Sequence, residues 1–184
     1  MKRSSIVLIA CLLGAAPALA DEPVLLPTHD VDVTYRAAGA QPVEQRVRWD
    51  AATQTMRIDP PTSGVFVIID YLARRMTVVN ETEKSVVEMP APASMANVLG
   101  GKIAGEFVRQ GEAKVDGLGC TEWQTQDRNG EPANVCVTAD GVLLRAGTAA
   151  RTLVTAVKVQ YAQQDPALFR IPADFTRRSQ GAAR

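Results

Sequence analysis

The residues in this 184-residue chain whose types could do chemistry are few: one histidine, three cysteines, and a scatter of carboxylates and arginines. Serine- or cysteine-type catalysis needs a base within hydrogen-bond reach of the nucleophile. The one histidine, His29, sits in an early loop-like stretch with no identifiable partner, and reads as a surface residue. Cys120 and Cys136 are separated by 15 residues, far from the close Cys-x-x-Cys spacing that suits a redox or metal pair. Asp127 with Glu131, or Asp116 with Glu122, could be drawn as an acid and a base. Their spacing does not distinguish them from ordinary hairpin and turn residues.

Two glycine-rich stretches fail on their flanks. Leu99-Gly100-Gly101-Lys102 invites a phosphate-loop reading, but that motif wants glycine where Ala96 stands and serine or threonine where Ile103 stands. Gly117-Leu118-Gly119 could start a dinucleotide fingerprint, yet its third glycine position is Glu122 and the segment leads into a strand. Arg74-Arg75 and Arg177-Arg178 could attract an anionic group, though arginine pairs on turns and tails are usually solvated faces. No catalytic residue, metal ligand or cofactor is expected, and the chain does not read as an enzyme.

The N-terminus begins Met1-Lys2-Arg3, continues through an apolar stretch from Ile6 to Ala16, and ends in Ala18-Leu19-Ala20, the pattern of a signal peptide cut between Ala20 and Asp21. Leu8-Ile9-Ala10-Cys11 also matches a lipoprotein box, with Cys11 as the alternative anchor; it comes early, and the apolar run continues past it. Removing residues 1–20 leaves 164, enough for one core, with 18 basic against 20 acidic residues, a net of −2. That near balance argues against nucleic-acid or anionic-membrane binding. No later stretch approaches the ~20 apolar residues a membrane helix needs. Export to the periplasm or beyond places Cys120 and Cys136 in an oxidising compartment, where an even pair forms a bridge.

The elements are mostly strands. Val31, Val33 and Tyr35 alternate with polar residues, as do Val43, Gln45, Val47 and Trp49. Further strands are expected at 56–58, 65–69, 76–79 and 85–89, in an antiparallel meander. Met95, Leu99 and Ile103 fall four apart, Phe107 continues the stripe, and Ser94 can cap, predicting a helix weakened by Gly100 and Gly101. Strands return at 120–126 and 134–139 around Asn129-Gly130, a hairpin dipeptide whose symmetry about Arg128 would set the cysteines face to face. After Asp140-Gly141 come strands at 142–146 and 153–161, a single helical turn after Asp165-Pro166, and a flexible tail over 177–184. The domain is expected to span 21–176.

Gly119-Cys120-Thr121-Glu122-Trp123, Cys136-Val137-Thr138, Asp140-Gly141-Val142-Leu143-Leu144-Arg145, and Asp165-Pro166 to Phe169 with Ile171-Pro172 together resemble a family of uncharacterised exported bacterial proteins. That family's architecture is similar to the periplasmic lipoprotein carrier LolA. The resemblance implies a mainly β fold: a single curved antiparallel sheet, or half-barrel, whose apolar concave face is covered by one or two short helices around a lipid-sized cavity. It implies a non-enzymatic periplasmic binding protein for an apolar ligand such as a lipid or acyl chain, acting as carrier or sensor. Met95, Leu99, Ile103 and Phe107 are the candidate ligand or lid contacts, with an ordinary core role as their alternative. The competing expectation is an envelope protein-interaction module with a solid core and no ligand.

Overall fold

The computed structural model describes residues 22–91, 106–127 and 130–179. Its strands are β1 (Val31–Ala37), β2 (Val43–Asp50), β3 (Thr55–Asp59), β4 (Val65–Asp70), β5 (Arg75–Asn80) and β6 (Ser85–Pro90), then β7 (Val108–Val115), β8 (Leu118–Gln126), β9 (Pro132–Val137), β10 (Leu143–Gly147), β11 (Thr152–Tyr161) and β12 (Thr176–Ser179). They form one curved sheet in the order β12-β6-β5-β4-β3-β2-β1-β11-β10-β9-β8-β7, whose outer strands do not close into a barrel. Two meanders, β1 to β6 and β7 to β11, are zipped together by the antiparallel pairing of β1 with β11. A mainly β, single-sheet fold is therefore what the alternating sequence produces.

Local chemistry explains the hairpins of the first meander. Three loops, 51–54, 71–74 and 81–84, each follow an Asp or Asn that ends a strand. The side-chain oxygens of Asp50, Asp70 and Asn80 accept from the loop amides of Ala52 and Thr53, Ala73, and Glu83, at 2.7 to 3.2 Å. Each loop then ends in a non-glycine residue in the left-handed region: Gln54, Arg74 and Lys84 have φ of 50°, 51° and 48°. The same turn is thus built three times, with the Asx bond holding a conformation that costs an L-residue free energy.

The sheet's two faces differ. One carries Val31, Val33, Trp49, Ile69 and Tyr71 in the larger core, with Met56, Ile58 and Val67 packed against it. Arg57 alternates with Met56 and Ile58 and so points to the other face, where its guanidinium lies 3.7 Å from the centroid of the Phe66 ring. Phe66, Ile68 and Val79 form a second, smaller core there, closed by Ile171 and Phe175. Asp32, Arg46, Arg48, Arg57 and Asp59 make a cross-strand ladder of ion pairs beside it. The charges are mutually satisfied, which leaves this ladder a structural role.

Several expectations need correction. Residues 177–179 are not a flexible tail: Thr176–Ser179 pair in parallel with Ser85–Glu88 of β6, carried there by Ile171 and Phe175 anchoring on the second core. The ordered domain therefore runs at least to Ser179. Among the described residues the only helical turn, Pro166–Phe169, does not cover the concave face. It is capped by Asp165, and the Leu168 carbonyl accepts from Arg57 Nη1 at 2.7 Å on the opposite face. β7 was not expected at all. The cysteines are bonded, with Cα atoms 5.5 Å apart, but diagonally, because the β8–β9 register sets Cys136 opposite Glu122. The lid positions Met95, Leu99 and Ile103, the cleavage residues Ala20 and Asp21, and Cys11 lie outside the described residues.

Candidate functional site

The concave face carries a half-open apolar groove of about 330 Å³. Its floor is the inward-facing row of three adjacent strands: Val31, Val33, Tyr35 and Ala37 of β1, Gln45, Val47 and Trp49 of β2, and Met56 and Ile58 of β3. The pairings Val31 with Trp49, Val33 with Val47 and Tyr35 with Gln45 align these rows, since residues directly opposite on paired strands share a face. One wall is Tyr71, another the turn at Gly141 to Leu143, and a third the segment Leu25 to Pro27, which crosses the end of the groove before β1 begins.

That N-terminal segment is fixed by three contacts. Trp49 Nε1 donates to the Pro27 carbonyl at 2.7 Å, and the Thr28 amide donates to the Asp140 carbonyl at 2.9 Å. Gly141 provides the third: a Cβ there would lie 2.4 Å from the Leu26 carbonyl oxygen, and its φ of +96° suits glycine. Asp30 completes the corner, accepting from the Ala51 and Gln164 amides at 2.9 Å.

The polar atoms around the groove are nearly all satisfied. The Tyr35 hydroxyl donates to the Leu143 carbonyl at 2.8 Å, and the Tyr71 hydroxyl rests 3.9 Å from Met56 Sδ. The Trp49 and Tyr71 rings meet edge to face at 5.4 Å. Burial pushes the Tyr71 hydroxyl up to about 12 and raises Tyr35 further, so both stay neutral. Among the described residues no charged side chain lines the groove.

The other sequence candidates are resolved as structure. His29 does gain neighbours, Thr28 Oγ1 at 3.0 Å and Asp140 Oδ2 at 3.9 Å, but both approach the same Nδ1 of a ring that is 72% exposed. The other carboxylate oxygen of Asp140, Oδ1, accepts from the Thr138 and Tyr161 hydroxyls. Asp127 accepts from the Glu131 amide to close the β8–β9 hairpin, and Glu122 pairs with Arg145. Asp116 and Gly117 form the β7–β8 turn, both with positive φ. Arg75 faces Asp70, Arg177 pairs with Glu88, and Arg178 lies 3.9 Å from Glu83. Among the described residues no cluster of three His, Cys, Asp or Glu is placed to hold a metal, and no helix is long and apolar enough to cross a membrane.

Phe107 is the one lid candidate inside the described residues, and it does not line the groove. Its ring meets Trp123 edge to face at 6.4 Å. The groove residues themselves were legible as core but not as a site: nothing in the alternation of β1 and β2 distinguishes a filled interior from an open one.

No family model matches the chain, and no curated protein does. Solved structures do share its fold. An uncharacterised conserved protein from Thermus thermophilus is similar over 83% of this chain and 91% of its own, with a TM-score of 0.60 and 13% identity. MucB is similar over 82% of this chain at TM-score 0.52 and 10% identity, and PNGF-II over 82% at 0.51 and 13%. This chain spans 60% of that MucB chain and 31% of that PNGF-II chain. At such identities the likeness is one of fold.

Proposed function

We propose that this protein is an exported, non-enzymatic binding protein that holds an apolar ligand of the lipid or acyl-chain class in the groove over β1 to β3. The observation that carries the reading is the groove itself: about 330 Å³ of hydrocarbon-lined space left open on a face that a solid core would fill. The Tyr35 hydroxyl and the Trp49 indole are turned to backbone carbonyls, so a ligand's methylenes beside them break no hydrogen bond. The resemblance to LolA-like carriers points the same way, as does the Cys120–Cys136 bridge, which suits an oxidising compartment outside the cytoplasm.

The test is to export the protein from a bacterial host, purify it without detergent, and compare its solvent extract by mass spectrometry with that of a similarly handled control. A stoichiometric lipid or acyl compound is expected, and should be lost from Val47→Trp, which fills the groove floor. A clean extract, repeated after incubation with membrane lipids, would overturn the reading in favour of an envelope protein-interaction module.

A further inference from the structure

The groove has a direction. Along β1, Val31 and Val33 are buried, Tyr35 is half-buried and Ala37 is exposed; along β2, Trp49 is buried, Val47 and Gln45 are half-buried, and Val43 is 45% exposed. Both gradients run the same way, because the antiparallel register sets Trp49 beside Val31 and Val43 beside Ala37. The closed end lies at Trp49 and Tyr71 under the N-terminal segment, and the mouth at the β1–β2 hairpin. β3 no longer covers that mouth, since its last paired residue, Asp59, stands opposite Arg46.

One lining side chain breaks the apolar rule. Gln45 stands at the mouth, and its amide makes no hydrogen bond with the described residues, while Tyr35, Tyr71 and Trp49 have each found a contact for their polar atoms. A primary amide offers two donors and an acceptor to whatever occupies that end.

The dimensions limit the occupant. Gln45 to Trp49 is four residues of strand, or ~13 Å at ~3.3 Å each. An extended chain advances ~1.2 Å per bond, so this depth takes roughly eleven bonds.

We infer that the ligand is an amphiphile with an acyl tail of roughly ten to twelve carbons, bound tail-first, its terminal methyl at Trp49 and its hydrogen-bonding head at Gln45. This rests on the proposed function and adds tail length and polarity to it. Head groups that exchange hydrogen bonds with an amide, a carboxylic acid being the simplest, fit the mouth.

Saturated fatty acids from hexanoic to octadecanoic are to be titrated against an apolar naphthylamine dye, and Trp fluorescence read with dodecanoic acid brominated at the ω or the α carbon. The brominated acids are run on the wild type and on Trp123→Phe, so that Trp49 is the reporter. Affinity should rise roughly fourfold per methylene up to decanoic or dodecanoic acid and then level off. The ω-bromo acid should quench Trp49 strongly and the α-bromo acid weakly. Gln45→Leu should lower the ratio of acid to dye affinity roughly fivefold. Equal or reversed quenching, affinity still climbing to octadecanoic acid, or an unchanged ratio in Gln45→Leu would each overturn the inference while dye binding keeps the groove reading. Binding of neither dye nor acids would overturn both.

Discussion

Replacing Gly141 by alanine tests whether the N-terminal segment is held as a wall of the groove by close backbone approach. The new Cβ would sit 2.4 Å from the Leu26 carbonyl oxygen and 2.7 Å from its carbon, with Gly141 at φ +96°. Gly117→Ala is the matched control, with φ of +80° and nothing within 4 Å of its would-be Cβ. Both variants carry the backbone cost of a left-handed L-residue, ~1–2 kcal/mol. Only Gly141→Ala must also push Leu26 aside. That displacement breaks the bonds from Thr28 N to the Asp140 carbonyl and from Trp49 Nε1 to the Pro27 carbonyl. At ~1 kcal/mol each they bring the total to about 3–4 kcal/mol, against about 1–2 for the control. Urea unfolding followed by Trp fluorescence gives both numbers, and dye binding reports the wall directly. Costs within about 0.5 kcal/mol of each other would refute the argument from close approach. A large cost with dye affinity intact would show that the segment is anchored there but does not shape the groove.

Three further outcomes are expected. Reducing the Cys120–Cys136 bridge should lower stability by about 3 kcal/mol, and thiol titration of the oxidised protein should find neither cysteine free. Tyr71, raised by burial from 10.0 to about 12, favours the folded state most while neutral. Its contribution is fully present below pH 10 and is lost as pH climbs towards 12, a window of about 3 kcal/mol that Tyr71→Phe should narrow in alkaline unfolding curves. Arg74→Gly relieves a left-handed residue at φ 51° on an exposed loop and should raise the urea midpoint by up to ~1 kcal/mol of stability, whereas the same change at exposed Arg36 in β1 should lower it.

Much of the strand content was legible because its signal is local. Strict alternation marked β1, β2 and β11, and an unbroken apolar run marked β4, which is buried on both faces by the two cores. β7 was missed because Arg109-Gln110-Gly111-Glu112-Ala113-Lys114 has almost no apolar residue to alternate. Its turn, Asp116-Gly117, did carry a hairpin signature that the nearby glycines obscured. β12 was missed for a different reason: Thr176 to Ser179 has no strand character of its own and is ordered by what Ile171 and Phe175 bury before it.

The sequence by itself therefore determined a mainly β chain, the sites of most of its hairpins and the bonded cysteine pair, since each depends on neighbours a few residues apart or on an even cysteine count. Tertiary structure decided which face is concave, that β1 closes against β11 more than a hundred residues away, and that Leu25 to Pro27 walls the groove. Register and curvature are set by long-range pairing and by bulges such as those at Thr34/Tyr35 and Ala146/Gly147, which no local pattern encodes. A row reading Val-x-Val-x-Tyr is the same whether its face is filled or left open, and only the packed sheet distinguishes a filled core from an open groove.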